Sequence, residues 1–319
     1  MLVLVSRREG DYIYLMRLVA APVLGLLLAG ALQANADSPT AAFLKIPVGA
    51  REVGMGQAFT AVADDANAAF WNPAGLGTLV SRELTASDAQ MFAGTRLDTL
   101  AFAQPALQGS IGVSVGYLQD GTLDGRGADR SQTGSFTASD MVVGLSYGRP
   151  VGMMQLGATV KYIRSRIADV GATGVAADLG LLMPTRLPGL TLGAAVQNIG
   201  PGMKFLSETN PLPLTMSAGA AYQTPMGMTF SLQAQRQVHE GNTVIGAGME
   251  MPLLSAVTAR AGYQRASNAG LGAAAGTASG LAGFAGGFGF KLYGYSVDYA
   301  FTPMGELGAA QRISLSSRF

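Results

Sequence analysis

Residues 154–162 read MQLGATVKY, and their rhythm decides the fold. Met154, Leu156, Ala158, Val160 and Tyr162 share one parity, while Gln155, Gly157, Thr159 and Lys161 share the other. Successive side chains of an extended chain point to opposite faces, so this is a strand with one apolar face and one polar or small face. Val257, Ala259, Ala261 and Tyr263 repeat the arrangement against Thr258, Arg260, Gly262 and Gln264. Tyr293, Tyr295, Val297, Tyr299 and Phe301 do so against Gly294, Ser296 and Asp298.

Segments of this kind fall at 81–90, 95–104, 109–119, 139–149, 154–164, 174–183, 189–198, 213–223, 227–238, 243–251, 255–265, 281–290, 292–302 and 310–319. About 14 strands of about 10 residues is an even number at a spanning length. The reading is all-β: a transmembrane antiparallel β-barrel with lipid outside and a lumen within.

Composition agrees. The chain of 319 residues is 49% hydrophobic and only 13% charged, about half the charge of a soluble domain. Something other than water covers part of the surface. Mean hydropathy is +0.29, yet past Leu32 no apolar run approaches the roughly 18 residues of a spanning helix. A formal charge of +1 without blocks of like charge argues against a nucleic-acid partner. With no cysteine there are no disulfides, thiolate metal sites or cysteine nucleophiles.

The connections alternate in length. QPALQG, RPVG, PTRLPG, TPMG and MPLLS are short and each holds a proline, while 120–138, 199–212 and 266–280 are long. Short periplasmic turns and long external loops are the habit of outer-membrane barrels, with both termini periplasmic. Lys161, Asp178, Glu250, Arg260, Lys291, Asp298, Arg312 and Arg318 keep to the lumen parity. Arg236 and Asp98 are the exceptions, near the external end where a lipid-facing charge costs only about 0 to 1 kcal/mol.

The beginning of the chain differs. Residues 17–36, RLVAAPVLGLLLAGALQANA, read as a secretory signal with a small-residue cleavage site at Ala34-Asn35-Ala36. Residues 1–36 are therefore signal peptide, and 1–15 are a doubtful extension if Met16 is the start. Residues 37–80 form a plug and 81–319 the barrel. In residues 43–79, FLKIPVGAREVGMGQAFTAVADDANAAFWNPAGLGTL, small residues including Gly54 and Gly56 let backbones approach closely. Pro73 pushes Asn72 out of the α region, so a short helix over 64–70 should end in a turn at 72–75. Asp64 and Asp65 suit capping or a salt bridge, and Trp71, the sole tryptophan, suits wedging the plug against the wall.

GMGQAFTAVADDANAAFWNPAGL resembles the N-terminal signature of the FadL-like outer-membrane channels, with its DDA acidic pair and NPA turn. FLKIPVGARE and the terminal DYAFTPMGELGAAQRISLSSRF look more specifically like the PorV/PorQ branch of that superfamily. The FadL resemblance implies passage of small hydrophobic molecules past a plug or gate built on Gly54, Gly56, Asp64, Asp65, Trp71, Asn72 and Pro73. The PorV/PorQ resemblance implies instead a part in protein secretion of type IX kind, in which long loops hold an exported protein partner. The terminal strand ending in Phe319 resembles the insertion signal of outer-membrane barrels.

Catalytic material is poor. His239 is the only histidine, set beside Glu240 and Gly241 in a tight connection. No nucleophile elbow, zinc-binding HExxH or phosphate loop is present. The expectation is a non-enzyme without cofactor or metal, embedded in outer-membrane lipid.

Overall fold

The computed structural model describes residues 39–121, 123–126, 132–267, 283–305 and 308–319. The residues read as a secretory signal and most of the long connection at 266–280 lie outside them.

Strands β1 (Glu83–Gln90), β2 (Arg96–Ala106) and β3 (Gly109–Gln119) are followed by a short hairpin, β4 (Leu123–Arg126) and β5 (Gln132–Phe136). The wall resumes with β6 (Ala138–Val151), β7 (Met154–Ile167), β8 (Val170–Pro184) and β9 (Leu190–Ile199). A second hairpin, β10 (Met203–Phe205) and β11 (Glu208–Asn210), precedes β12 (Thr215–Gln223), β13 (Thr229–Gln237) and β14 (Asn242–Pro252). The last strands are β15 (Val257–Ala266), β16 (Phe284–Leu292), β17 (Tyr295–Pro303) and β18 (Ala309–Arg318).

Fourteen of these strands form one closed barrel in sequence order, with β4–β5 and β10–β11 outside the ring. Closure is antiparallel between β1 and β18, in the register Glu83 opposite Arg318. A closed ring leaves no edge to be satisfied in lipid. All 14 wall strands coincide with the segments read from sequence. The two hairpins do not: the sequence reading treats them as loop, and their strands are too short to show a period.

Parity does what was expected of it. Val160, Leu145, Leu232, Phe288 and Ile313 point outward and are more than half exposed, whereas Thr159, Lys161, Asp178, Gln233 and Asp298 face the lumen and are buried. Asp88, Arg96, Arg164, Arg166 and Arg265 join Asp98 on the outward parity, and Arg96 bonds to both aspartates. The outward Arg236 is satisfied by the Gly241 carbonyl at 2.6 Å. These exceptions sit at the end of the barrel carrying the long loops, hereafter the loop end, while the outward Arg149 lies beside the short β6–β7 turn at the other end. The opposite, proline-bearing end is the turn end.

Phe319 lies at the turn end, exchanging backbone hydrogen bonds of 3.0 and 3.1 Å with Arg82. The first described residues lie instead at the loop end. Thr40 N–H donates to the Pro211 carbonyl at 3.0 Å, and Lys45 pairs with Glu240 in the β13–β14 turn. Residues 39–48 thus run along the lumen before the chain folds back on itself at the turn end.

Candidate functional site

The leading segment fills the turn half of the lumen. A one-turn helix covers Ala50–Gly54, a second Ala68–Trp71, and a 3-10 turn Pro73–Thr78. The helix expected over 64–70 is therefore shorter and starts later. Asp65 Oδ1 accepts the Asn67 N–H at 3.0 Å, a local side-chain turn that competes with helix and holds the chain in turns before Ala68. Asn72 is extended as Pro73 demands, at φ −155° and ψ 100°. The turn expected at 72–75 instead continues as the 3-10 helix, for which Asn72 is the cap: its side chain accepts from Ala74 N–H at 3.2 Å.

Asn72 also fastens this turn to the wall. Its Nδ2 donates to the Thr60 carbonyl within the plug at 2.7 Å and to the Leu181 carbonyl of β8 at 3.1 Å. The side chain is fully buried and every polar atom is used. Beside it, wall glycines remove the side chains that would hold the plug away. A Cβ at Gly157 would stand 2.2 Å from the Pro73 carbonyl carbon, and one at Gly180 2.1 Å from Asn72 Oδ1. On the far side, a Cβ at Gly248 would stand 2.1 Å from the Met55 carbonyl, and one at Gly262 2.0 Å from Gly56 N. Backbone meets backbone around much of the circumference.

Gly56 itself adopts φ +61°, and a Cβ there would lie 2.6 Å from the Ala247 carbonyl and the Tyr263 amide. Gly54 is less constrained, with an ordinary 3.4 Å approach to the Arg260 Cβ. Trp71 donates from Nε1 to the Val48 carbonyl at 3.0 Å and meets Phe59 edge-on at 6.1 Å between centroids. It ties two limbs of the plug together and shares a buried apolar cluster with Ala101 and Ala103 of β2.

Asp64 and Asp65 converge on Arg51, at 2.5 and 3.1 Å from its Nη1. The same guanidinium grips Glu250 of β14 with two bonds, of 2.9 and 3.0 Å. Glu250 also accepts from Arg260 at 2.6 Å, and Arg260 reaches Asp298 at 2.6 Å. Arg318 pairs with Glu83 at 2.5 Å, and Glu83 accepts the Ala66 N–H at 3.1 Å. Plug and wall therefore share one charge network at the turn end, around a polar cavity of about 240 Å3.

Glu52 lies within this network, fully buried. One oxygen accepts from Asn67 Nδ2 at 2.8 Å, while Oε2 has no hydrogen-bond partner among the described residues. Burial and then the charge of Asp65 push its carboxyl up to about 8. Burial also raises Asp65 to about 6, against the pull of Arg51.

Sequence reasoning named the acidic pair but assigned no role to Arg51 and Glu52, although they end the FLKIPVGARE stretch that carries a family resemblance. It also passed over the wall glycines, although their signal was present: glycine inside a strand, on the lumen parity, marks close approach of another backbone.

Above the plug the lumen changes character. Phe43, Leu97, Leu118, Val142, Ile163 and Met203 form a buried apolar cluster, and a chamber of about 720 Å3 opens beside residues 39–47. Lys161 and Asp178 pair at 2.6 Å in the wall below, where the β8–β9 register shifts and Asn198 N–H donates to Asp178 at 2.8 Å.

A family model described as "Uncharacterised protein family (UPF0164)" matches residues 33–250, the plug and most of the wall. The chain belongs to UPF0164. No curated protein matches this UPF0164 member in sequence.

Solved structures share its fold. The toluene transporter TbuX of Ralstonia pickettii superposes with a TM-score of 0.60 at 16% identity, over 85% of this chain and 98% of that one. The Pseudomonas putida toluene transporter TodX gives 0.58 at 13%, covering 84% and 96%. A Pseudomonas aeruginosa FadL homologue gives 0.57 at 13%, covering 86% and 98%. The UPF0164 member thus has the barrel architecture of FadL-family proteins.

Proposed function

We propose that this protein lies in the bacterial outer membrane with its turn end in the periplasm and passes small hydrophobic molecules through its plugged barrel. One observation carries the reading. The turn half of the lumen is closed by a plug seated on wall glycines and one arginine-centred latch, while the loop half holds an apolar chamber of about 720 Å3 directly above it. That volume lies in the range of small-molecule sites, about 300 to 1,000 Å3. The likeness to toluene transporters and a FadL homologue supports the same reading. In this reading a molecule enters the chamber from the loop end, and movement of residues 49–77 opens the way on.

The test is a reversible lock. The chain has no cysteine, and the Gly54 and Arg260 Cβ positions lie 3.4 Å apart, close to the disulfide range of about 3.5 to 4.5 Å. In Gly54→Cys/Arg260→Cys, oxidation should abolish uptake of radiolabelled toluene into cells and reduction should restore it. Equal uptake in both states would overturn the gate. An exported protein co-purifying with a barrel that takes up no hydrophobic compound would move the assignment to a secretion role, as the PorV/PorQ resemblance suggests. We further assign Phe319 to membrane insertion. Its deletion should lower the inserted fraction on heat-modifiability gels, and an unchanged fraction would remove that role.

A further inference from the structure

The turn end exposes a large apolar side chain at every turn. Leu107, Met153, Leu187, Met226, Leu254 and Tyr293 stand in its six turns, between 53% and 92% exposed. The two chain passages that complete this end, from plug into β1 and out of β18, add Val80 and Phe319, also exposed. Single exposed hydrophobes are ordinary on a protein surface, but one at each position of a ring is not scatter. None of the six turns holds an acidic residue. The charges in or beside them are basic: Arg149, Arg186 and Lys291, with Arg82 ahead of β1, all exposed. Carboxylates such as Asp64 and Glu83 line the polar cavity inside the mouth instead, held by Arg51 and Arg318.

The height of the wall decides what surrounds this ring. On β7 the outward apolar run ends at Tyr162, just before the charges of Arg164 and Arg166, and nine residues separate it from Met153. On β15 the run ends at Tyr263, just before Arg265, nine residues from Leu254. At about 3.3 Å per residue and a tilt of about 40°, such a run climbs about 23 Å. The apolar band of an outer-membrane barrel is about 25 Å tall, so the band uses the whole wall and reaches the turns. They have no height left with which to stand in water. Apolar tips set among arginines match a layer of acyl chains capped by anionic phosphates. Arg82 and Arg149 lie on the outward parity, and among the described residues neither pairs with a carboxylate.

We propose that the turn end is a lipid contact surface: its turns lie in the headgroup layer of the periplasmic leaflet, and Arg82 and Arg149 rest on the phosphates of an anionic phospholipid. The inference rests on the membrane placement proposed above and not on any passenger. The experiment uses the full barrel in liposomes of phosphatidylcholine and phosphatidylglycerol in equal parts. Because the chain has no cysteine, Leu187→Cys, Met226→Cys and Leu254→Cys each carry one spin label. Val160→Cys on the lipid face and Asp169→Cys in the exposed β7–β8 connection are the references. Collision with oxygen reports hydrocarbon, and collision with a nickel chelate reports water.

The oxygen-to-nickel ratio at the three turns should stand several-fold above that at Asp169→Cys and below that at Val160→Cys. A fluorophore on Met153→Cys, beside Arg149, reads the lipids of this end alone. Phosphatidylglycerol spin-labelled near its headgroup should quench it about two- to fivefold more than phosphatidylcholine labelled alike, the scale of one basic residue at an anionic surface. Arg82→Gln/Arg149→Gln in the same protein should bring the two quenchers level, and high salt should do likewise without the substitutions. Turns that meet the nickel chelate as freely as Asp169→Cys, with Val160→Cys still in oxygen-rich lipid, would sink the inference and leave the membrane placement standing. Nickel access at Val160→Cys as well would count against the placement itself. Equal quenching by the two lipids before any substitution would overturn the anionic contact.

Discussion

The two halves of this lumen are built on opposite plans. At the turn end, backbone touches backbone over Gly157, Gly248 and Gly262, and the remaining space is spanned by Arg51 and its carboxylates. At the loop end, side chains rather than backbone fill the bore, and they leave a chamber. Close backbone packing tolerates no added methylene, while a side-chain cluster can repack. The turn half is thus suited to hold one position, and the loop half to accept something variable.

Arg51→Met tests this contrast most severely. It strips the cation from Glu250, Asp64 and Asp65 together, and breaking a buried pair from one side costs about 3 to 5 kcal/mol. Hydrogen exchange should show lost protection across residues 50–78, with β2, β7 and β13 unaffected, and planar bilayers should show new conductance. Unaltered protection of the plug would mean that the latch is not what holds it.

A pair of glycine substitutions sharpens the comparison. At Gly157 an added Cβ meets backbone at 2.2 Å, whereas at Gly116 in the loop half it meets only side chains, the nearest being Val142 Cγ1 at 3.1 Å. Gly157→Ala should destabilise plug seating by about 1 to 3 kcal/mol, and Gly116→Ala by well under about 1 kcal/mol. Equal effects in exchange at residues 72–78 would erase the distinction between the halves.

The wall was legible because lipid enforces parity. With one face in hydrocarbon, a one-residue slip would bury Lys161 or Asp178 in the membrane, so the alternation is written plainly from β1 to β18. Where lipid exerts no control the sequence falls silent. The β10–β11 hairpin turns into the lumen and buries Met203 against Gly174 of β8, and nothing in its three-residue strands announces that. Residues 43–79 obey contact with a wall that exists only after folding, so Asn72 and Pro73 could be singled out by their chemistry while the partners of Asp64 and Asp65 could not. Arg51 looks like any surface arginine until Glu250, distant in sequence, is brought to it.

Acidity acts on the plug of the turn half. The Glu52 carboxyl stands near 8 and that of Asp65 near 6, above ordinary values of 4.5 and 3.8. Between the two values of each group the folded plug binds more protons than the unfolded chain, so its stability falls as pH rises. The contribution is whole below about pH 4, and it drains as pH climbs toward 8, at no more than about 1.4 kcal/mol per unit for each group. Plug exchange rates, corrected for intrinsic chemistry, should therefore rise from pH 5 to pH 8. Glu52→Gln should flatten the range above about pH 6 and reduce the slope below it to the part that Asp65 supplies. A slope unchanged in the variant would remove Glu52 from the account.

The smallest effect falls on the joint between the halves. Trp71 belongs to the turn-half plug, yet its Nε1 donates to the carbonyl of Val48, the residue where the limb lining the chamber meets the plug. Trp71→Phe keeps the ring against Phe59 and removes only that bond, worth about 0.5 to 1.5 kcal/mol. If the turn half stands on its own glycine seat and latch, the loss must appear upstream. Exchange should quicken in residues 43–48 and stay nearly constant in 68–76. If both segments loosen together, the plug is one cooperative body, and opening at the turn end would drag the chamber wall with it.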